Sequence, residues 1–544
     1  MIQLHGKAIS PGLAEGILAI YRAPILNDDT PVAIERGSID AEIDSLKRST
    51  GVITGDLLIL AKRVEQATDS SSAAVFEAHQ AILNDPKLSE ELRHEIQDRL
   101  VSAASAVKTV FLRWEQRFLQ MESQLFQQKA ADMRDIAQRL SNALSGTGNT
   151  SFAQMPQGCI LVARRMLPSD AVHLAERKIA AVLLEHGQTG SHAALFIRSM
   201  GLPCIADIAG LMSRAIPGPL ALVDADRGMV IIAPTLQEQD AFRRKVAIHR
   251  RIFTRALART KQPAITRDGV PIAVEANVGC RADTELAVAH GADGIGLYRT
   301  EQMYLAGTIP PDSDTLVHEM RSTLEPARGL PICVRLFDIG ADKHVSFLPF
   351  LSEPNPALGR RGIRMQLALP EMLETQLRAI LRLSTEFDIR ILVPMVTLPS
   401  DLKEVRACMA RLAPECGVTT LPSLGAMIEN PAAALTLPAL EPYADFASFG
   451  TNDLAQYVFA ADRESASEER YYQDSHAAIF RLLQIAHDDA PRMPLSICGE
   501  LAGRVAHIPR LFQCGCRSFS VVPPLIPAIK AGICSVHYTV GLRR

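Results

Sequence analysis

The sequence predicts an α/β chain of several domains: a C-terminal (β/α)8 barrel, and an N-terminal α/β domain split by an all-α insertion. Three observations carry this expectation. The chain has 544 residues, which at about 100–200 residues per domain gives about three domains. From about residue 266 onward, strand patterns alternate with helical patterns eight times. Eight such units over roughly 270 residues suit a TIM barrel, typically about 250 residues long; a doubly wound open sheet is the competing architecture. Between about 33 and 146, helical periodicity runs without a strand signal.

The first stretch, 1–32 together with 147–234, reads as one small domain. Gly12 and Gly16, Gly158–Val162, Ala180–Leu184, Ala221–Val223 and Met229–Ala233 are turn glycines and short apolar runs separated by Gly, Pro and Asp. In the insertion, Ile43, Leu46, Ile53, Leu57, Leu60 and Val64 form one stripe of a 3.6-residue period. Leu88, Leu92 and Ile96 recur at i, i+4 and i+8 after an Asn84-Asp85-Pro86 turn. Val107, Val110, Phe111, Trp114 and Phe118 form a further stripe, and Met133, Ile136, Leu140 and Leu144 the last, before Gly146. Four or more helices joined by short turns make an all-α subdomain. Residues 235–265 are polar and helix-forming, and read as a connecting helix or as the last helix of the first domain. The barrel then spans 266–544, with strands at Ile272–Asn277, Gly294–Tyr298, Ile332–Phe337, Ile391–Val396, Leu424–Glu429, Phe446–Phe449, Leu495–Cys498 and Ser518–Val521.

Composition narrows the function. With 57 Lys+Arg against 60 Asp+Glu the formal charge is −3, without the basic excess of a nucleic-acid binder. A charged fraction of 22% beside 47% hydrophobic residues is that of a folded chain. No apolar run of about 18 residues predicts a membrane span. The start, MIQLHGKAISPGLAEG, lacks the basic and apolar regions of a secretory signal. Ten scattered cysteines without a CxxC pair predict reduced thiols and a cytoplasmic location. Cys514-Gly515-Cys516 reads as core.

The chemistry collects at the C-terminal ends of the barrel strands, where such barrels carry their active sites. Five of the eight strand ends hold compatible groups: Arg299-Thr300-Glu301; Arg335, Asp338 and Lys343, followed by Gly359-Arg360-Arg361; Glu429-Asn430; Gly450-Thr451-Asn452-Asp453, followed by Arg463; and Cys498-Gly499-Glu500. Several Arg and a Lys on one face repel each other unless an anion sits among them, and the planar guanidinium fork fits carboxylate and phosphate oxygens. Glu429 and Asp453, at neighbouring strand ends, suit Mg²⁺, which takes one or two carboxylates plus substrate oxygens. The set points to a metal-assisted site for a small phosphorylated or polycarboxylate anion. In the first domain, Gly187-Gln188-Thr189-Gly190-Ser191-His192 follows a strand and opens an apolar helix, a place where free N–H groups face an anion and a histidine could accept a phosphoryl group.

At these residues the sequence resembles Enzyme I of the sugar phosphotransferase system, the phosphoenolpyruvate–protein phosphotransferases. GLYRTE (296–301), VRLFDIGADK (334–343), GRRGIR (359–364), MIENPAA (427–433), FGTNDLAQY (449–457), ADR (461–463) and CGELAG (498–503) carry the resemblance in the C-terminal half. ISPGLAEG (9–16), KAADMRDIAQRL (129–140) and MLPSDAVHL (166–174) carry it in the N-terminal half. The resemblance implies that His192 takes the phosphoryl group of phosphoenolpyruvate and passes it to a histidine of the carrier HPr, leaving pyruvate. It implies that Arg299, Arg335, Lys343, Arg361, Asn452 and Arg463 hold the substrate, that Glu429 and Asp453 hold Mg²⁺, and that Cys498 protonates the enolate carbon. It also implies a homodimer formed through the barrel, a carrier-docking surface on the helical insertion, and a swing of the N-terminal half about 235–260. Residues 56–100, with nine acidic and five basic side chains, would suit a basic docking face.

Two departures stand out. The family's histidine motif reads close to GGRTSH, whereas this chain reads GQTGSH, which bears on transfer rate or carrier preference. The family also continues with further helices past the equivalent of Arg544, which bears on barrel closure and dimerisation. A synthase or dikinase of the wider group would need a nucleotide-binding domain that the helical insertion cannot supply. A regulatory paralogue of Enzyme I with weak turnover is the alternative reading.

Overall fold

The computed structural model describes residues 2–21, 31–67, 76, 79–119, 124–145, 155–166, 170, 174, 177–187, 193–194, 197, 200–305, 309–339, 347, 353, 355–461 and 471–538. The chain divides into two compact units, Met1–His249 and Arg250–Arg544.

The first unit is built on an eight-stranded sheet. Its strands are β1 (Ile2–His5), β2 (Lys7–Ser10), β3 (Leu13–Tyr21), β4 (Ile160–Ala163), β5 (Ala181–Leu184), β6 (Cys204–Ala206), β7 (Leu220–Asp224) and β8 (Met229–Ile232), in the order β1-β8-β7-β3-β4-β5-β6-β2. β3 to β6 run parallel, and the outer pairings are antiparallel. β4 and β5 are buried on both faces, as parallel strands covered on both sides must be. Alternation sorts their side chains into two cores: Leu161, Ala163, Val182 and Leu184 face one, Ile160, Val162, Ala181 and Leu183 the other.

The first of these cores is shared with the helical insertion. Helices α1 (Ile39–Ala67), α2 (Pro86–Arg99), α3 (Ala103–Leu119) and α4 (Gln124–Ser145) lie between β3 and β4 in sequence. Their stripes meet: Leu46, Ile53, Leu57, Leu88, Leu92, Ile96, Val107, Val110, Phe111, Met133, Ile136 and Leu140 are all buried. The Asp85 side chain accepts a hydrogen bond from Lys87 N (2.7 Å) and Pro86 takes the first helical position of α2, where its missing N–H costs nothing. A further helix, α5 (Leu236–Arg259), follows β8; no helix among the described residues is long and apolar enough to cross a membrane.

The second unit is a closed barrel of eight parallel strands: β10 (Pro271–Val278), β11 (Ile295–Tyr298), β12 (Ile332–Arg335), β13 (Ile389–Val393), β14 (Leu424–Ile428), β15 (Phe446–Phe449), β16 (Leu495–Ile497) and β17 (Cys516–Val521). β17 pairs with β10, and β10 with β11, so the ring closes. A two-residue strand, β9 (Ala264–Ile265), runs antiparallel to the start of β10. Cys514 and Cys516 lie in the core, as their sequence suggested. Strands β1, β2, β6 and β9 carried no sequence signal that was read. Each has two to four residues, too few for alternation to stand out.

Candidate active site at the C-terminal end of the barrel

The strand ends place their polar residues in a fixed order. Arg299 directly follows β11 and is exposed; Arg335 is the last residue of β12 and is buried. Glu429 follows β14, Cys498 follows β16, and Asn452 and Asp453 lie in the first turn of the helix Thr451–Phe459 after β15. Arg361 precedes the short helix Ile363–Ala368. Lys343 and Arg463 fall outside the described residues, as does His192 in the first unit.

The two buried arginines are held by carboxylates. Arg335 donates to Glu301 Oε1 (2.8 Å) and lies 3.9 Å from Asp338 Oδ2. Arg361 bridges Asp338 Oδ2 (2.8 Å) and Asp453 Oδ1 (2.9 Å). Burial opposes the charge on Arg361, but Asp338 and Asp453 outweigh it and hold the guanidinium charged above its ordinary value. At Arg335, burial is likewise outweighed, by Glu301 and Asp338. These bonds correct the expectation that an anion alone must relieve the arginines. Glu301 and Asp338 were visible among the strand-end residues, but no charge rule assigns them to particular arginines before the loops are placed. Glu301 also accepts from Asp338 N (2.9 Å), so one carboxylate fixes both an arginine and the turn after β12.

Glu429 is 2% exposed, and its Oε2 accepts from Met395 N (2.8 Å). Burial and the carboxylates of Asp453 and Asp338 push its carboxyl up to about 7. Gly450 makes room for it: a Cβ there would meet Glu429 Cγ at 2.6 Å and Oε1 at 2.7 Å. Gly362 combines a positive φ of 52° with a near-contact, its Cβ position lying 2.9 Å from Met395 Cβ. Among the described residues, the site thus sets two buried guanidinium groups against four buried carboxylates, Glu301, Asp338, Glu429 and Asp453. Two hard oxygen donors at adjacent strand ends, Glu429 and Asp453, fit a divalent cation that keeps open positions for substrate oxygens.

Cys498 is 3% exposed, and its Sγ donates to Phe449 O (3.5 Å). Burial pushes its thiol up to about 11. Asn452 Oδ1 accepts from Glu500 N (2.9 Å), tying the ends of β15 and β16 together.

Comparison with known proteins fits this geometry. The family model described as "PEP-utilising enzyme, PEP-binding domain" matches residues 254–538, slightly more than half the chain. Those described as "PEP-utilising enzyme, N-terminal" and "PEP-utilising enzyme, mobile domain" match 5–129 and 155–228. The "Phosphoenolpyruvate-protein phosphotransferase" of Mycoplasma pneumoniae is 32% identical over 99% of this chain and 94% of its own. The chain belongs to the phosphoenolpyruvate–protein phosphotransferase family.

Other members of that family are similarly close. The Geobacillus stearothermophilus phosphotransferase is 31% identical over 96% of this chain and 92% of its own, and that of Haloferax volcanii 34% over 88% and 84%. A solved structure titled "NMR solution structure of Enzyme I (nEIt) protein using two 4D-spectra" aligns with 45% of this chain and 99% of its own, at 24% identity and a TM-score of 0.38. In this member of the family, the C-terminal end of the barrel brings together two buried guanidinium groups, four buried carboxylates and the buried thiol of Cys498.

Proposed function

We propose that this chain moves the phosphoryl group of phosphoenolpyruvate onto His192 and then onto a histidine of an HPr-like phosphocarrier protein, releasing pyruvate. The observation that carries this reading is the pair of buried arginines, Arg335 and Arg361, preorganised by carboxylates beside Glu429, Asp453 and Cys498. Phosphoryl transfer needs positioning and charge neutralisation more than covalent chemistry from the protein.

Arg299, Arg335, Lys343, Arg361, Asn452 and Arg463 hold the phosphate and carboxylate oxygens. Glu429 and Asp453 hold Mg²⁺, which, when bound, neutralises charge on the transferring group. A ring nitrogen of His192 attacks phosphorus, the bond to the bridging oxygen breaks, and the enolate of pyruvate remains. The Cys498 thiol gives its proton to the C3 carbon, and the thiolate takes one back from solvent. With its affinity for the proton raised to about 11, Cys498 stays a thiol at neutral pH until the enolate forms. The same reading puts the protein in the cytoplasm as a homodimer joined through the barrel, with the carrier docking on α1–α4. Exposed Val52, Leu58 and Ile59 on α1 give that surface an apolar component.

The test is incubation with Mg²⁺ and phosphoenolpyruvate labelled with ³²P, beside His192→Ala. Acid-labile, base-stable label on the wild type alone is the expected result. Substrate binding without label would overturn the reading in favour of a regulatory paralogue.

A further inference from the structure

We propose that Asn277 and Ser520 are positioning residues for the acid: Ser520 fixes the Asn277 amide, and that amide holds the Cys498 carbonyl, aiming the thiol at C3 of the enolate. The inference rests on the reading of Cys498 as proton donor.

The geometry lies where the barrel closes. β10 and β17 are parallel neighbours, with Ala273 opposite Ser518 and Glu275 opposite Ser520. Two rungs cross this seam. In the lower one, Ser518 Oγ donates to Glu275 Oε2 (2.6 Å), and Arg390 donates to Glu275 Oε1 (2.6 Å). In the upper one, Ser520 Oγ donates to Asn277 Oδ1 (2.6 Å), and Asn277 Nδ2 donates to Cys498 O (3.1 Å). The rungs are two residues apart on each strand, so all four side chains point into the barrel. The lower rung ends on a cation. The upper rung ends on the peptide of the proposed acid.

A carbonyl oxygen only accepts, so the amide nitrogen must face Cys498, and Oδ1 is left for the Ser520 hydroxyl. An aspartate at 277 could accept from Ser520 but has nothing to donate to the carbonyl. Space for the rung comes from Gly296 of β11, where a Cβ would meet Ser520 Oγ at 2.5 Å and Glu275 Oε2 at 2.8 Å. On its other side, Cys498 N donates to Phe449 O of β15 (3.1 Å). Asn277 reaches the carbonyl from β10, past β17. The Cys498 backbone is therefore held at both N–H and C=O, which fixes the direction of its Cα–Cβ bond, and the Sγ bond to Phe449 O (3.5 Å) holds the thiol's rotamer about it. Such positioning matters because a misplacement of about 1 Å can cost on the order of 10²-fold in rate.

The experiment reads the stereochemistry of proton addition. Phosphoenolpyruvate stereospecifically tritiated at C3 is turned over by the full chain with its carrier in deuterated water, and the configuration of the chiral methyl of pyruvate is analysed. The wild type is expected to yield one configuration. Asn277→Asp, which keeps the shape, and Asn277→Ala are expected to drift toward the racemate, as enolpyruvate escapes and ketonises in solution. Their kcat should fall about 10–100-fold with KM changed less than about two-fold. Ser520→Ala should show a partial loss. Glu275→Gln, in the lower rung, should lower Tm and leave the configuration intact. Full configurational purity in both Asn277→Asp and Ser520→Ala, even at reduced kcat, would overturn the inference. If Cys498→Ala loses purity and Asn277→Asp does not, the inference falls alone. Racemic pyruvate from the wild type would overturn the assignment of the acid and the inference with it.

Discussion

The barrel interior contains two charged clusters, and they are built on different principles. At the lower seam, Arg390 pairs with Glu275, Ser518 completes the glutamate's bonds, and the Arg390 guanidinium sits 5.5 Å above the Phe446 ring. One cation meets one anion. At the C-terminal end, among the described residues, two buried arginines meet four buried carboxylates, and burial together with Asp453 and Asp338 pushes Glu429 up to about 7. A balanced buried pair can serve structure. A surplus of buried carboxylates over buried arginines, as the described residues show here, points to a place for cations and the anion they accompany. Burial alone does not separate the clusters, since Glu275 at 5% exposed and Glu429 at 2% are almost equally enclosed. Local charge balance does.

The largest expected effect tests the imbalance directly. Glu429→Gln should cut Mg²⁺-dependent turnover by about 10²–10³-fold, while Tm rises by a few degrees as a like charge disappears. A variant that loses both activity and Tm would place Glu429 with the structural cluster. Next, Arg361→Met strands Asp338 and Asp453, and Arg390→Met strands Glu275. Breaking a buried pair in this way costs about 3–5 kcal/mol, read by urea denaturation. Both variants should be destabilised, but only Arg361→Met should be partly rescued by saturating Mg²⁺.

A smaller effect concerns pH. Because the folded protein holds the Glu429 proton more tightly than the unfolded chain, it binds more protons between the ordinary glutamate range and about 7. The stability contributed by that proton is full below the ordinary range and is lost as pH rises through about 7. The metal-free protein should therefore show a Tm that declines over this window. Mg²⁺ should reverse the decline and Glu429→Gln remove it. The smallest effect belongs to the lower seam. Ser518→Ala deletes one hydrogen bond to Glu275 and should cost about 1–3 kcal/mol with kcat unchanged.

The barrel was legible because its strands are continuous apolar runs bounded by polar turns, the pattern that burial on both faces imposes. The positions of Arg335, Glu429 and Cys498 at strand ends were legible because each closes or follows an apolar run. Which carboxylate serves which arginine was not legible: Glu301 and Asp338 lie 34 and 3 residues from Arg335, and only the closed ring brings both to it. Asn277 and Ser520 were invisible for a stronger reason. An Asn and a Ser at strand ends are ordinary in any sequence, and their partnership spans 243 residues.

The helical insertion has a consequence for how the chain reaches its fold. It departs after β3 and returns at β4, yet β3 and β4 are adjacent and parallel, with Tyr21 opposite Ala163. Left unfolded, the intervening stretch would be a long loop to close before that pairing formed. The helices instead make mostly local contacts and can form early, bringing the two strand ends near each other. Helix formation in the middle of the segment would thus act as an internal template for the sheet. Synthesis from the N-terminus places β3 and helices α1–α4 outside before β4 arrives. The order of emergence is the order in which each part becomes useful to the next.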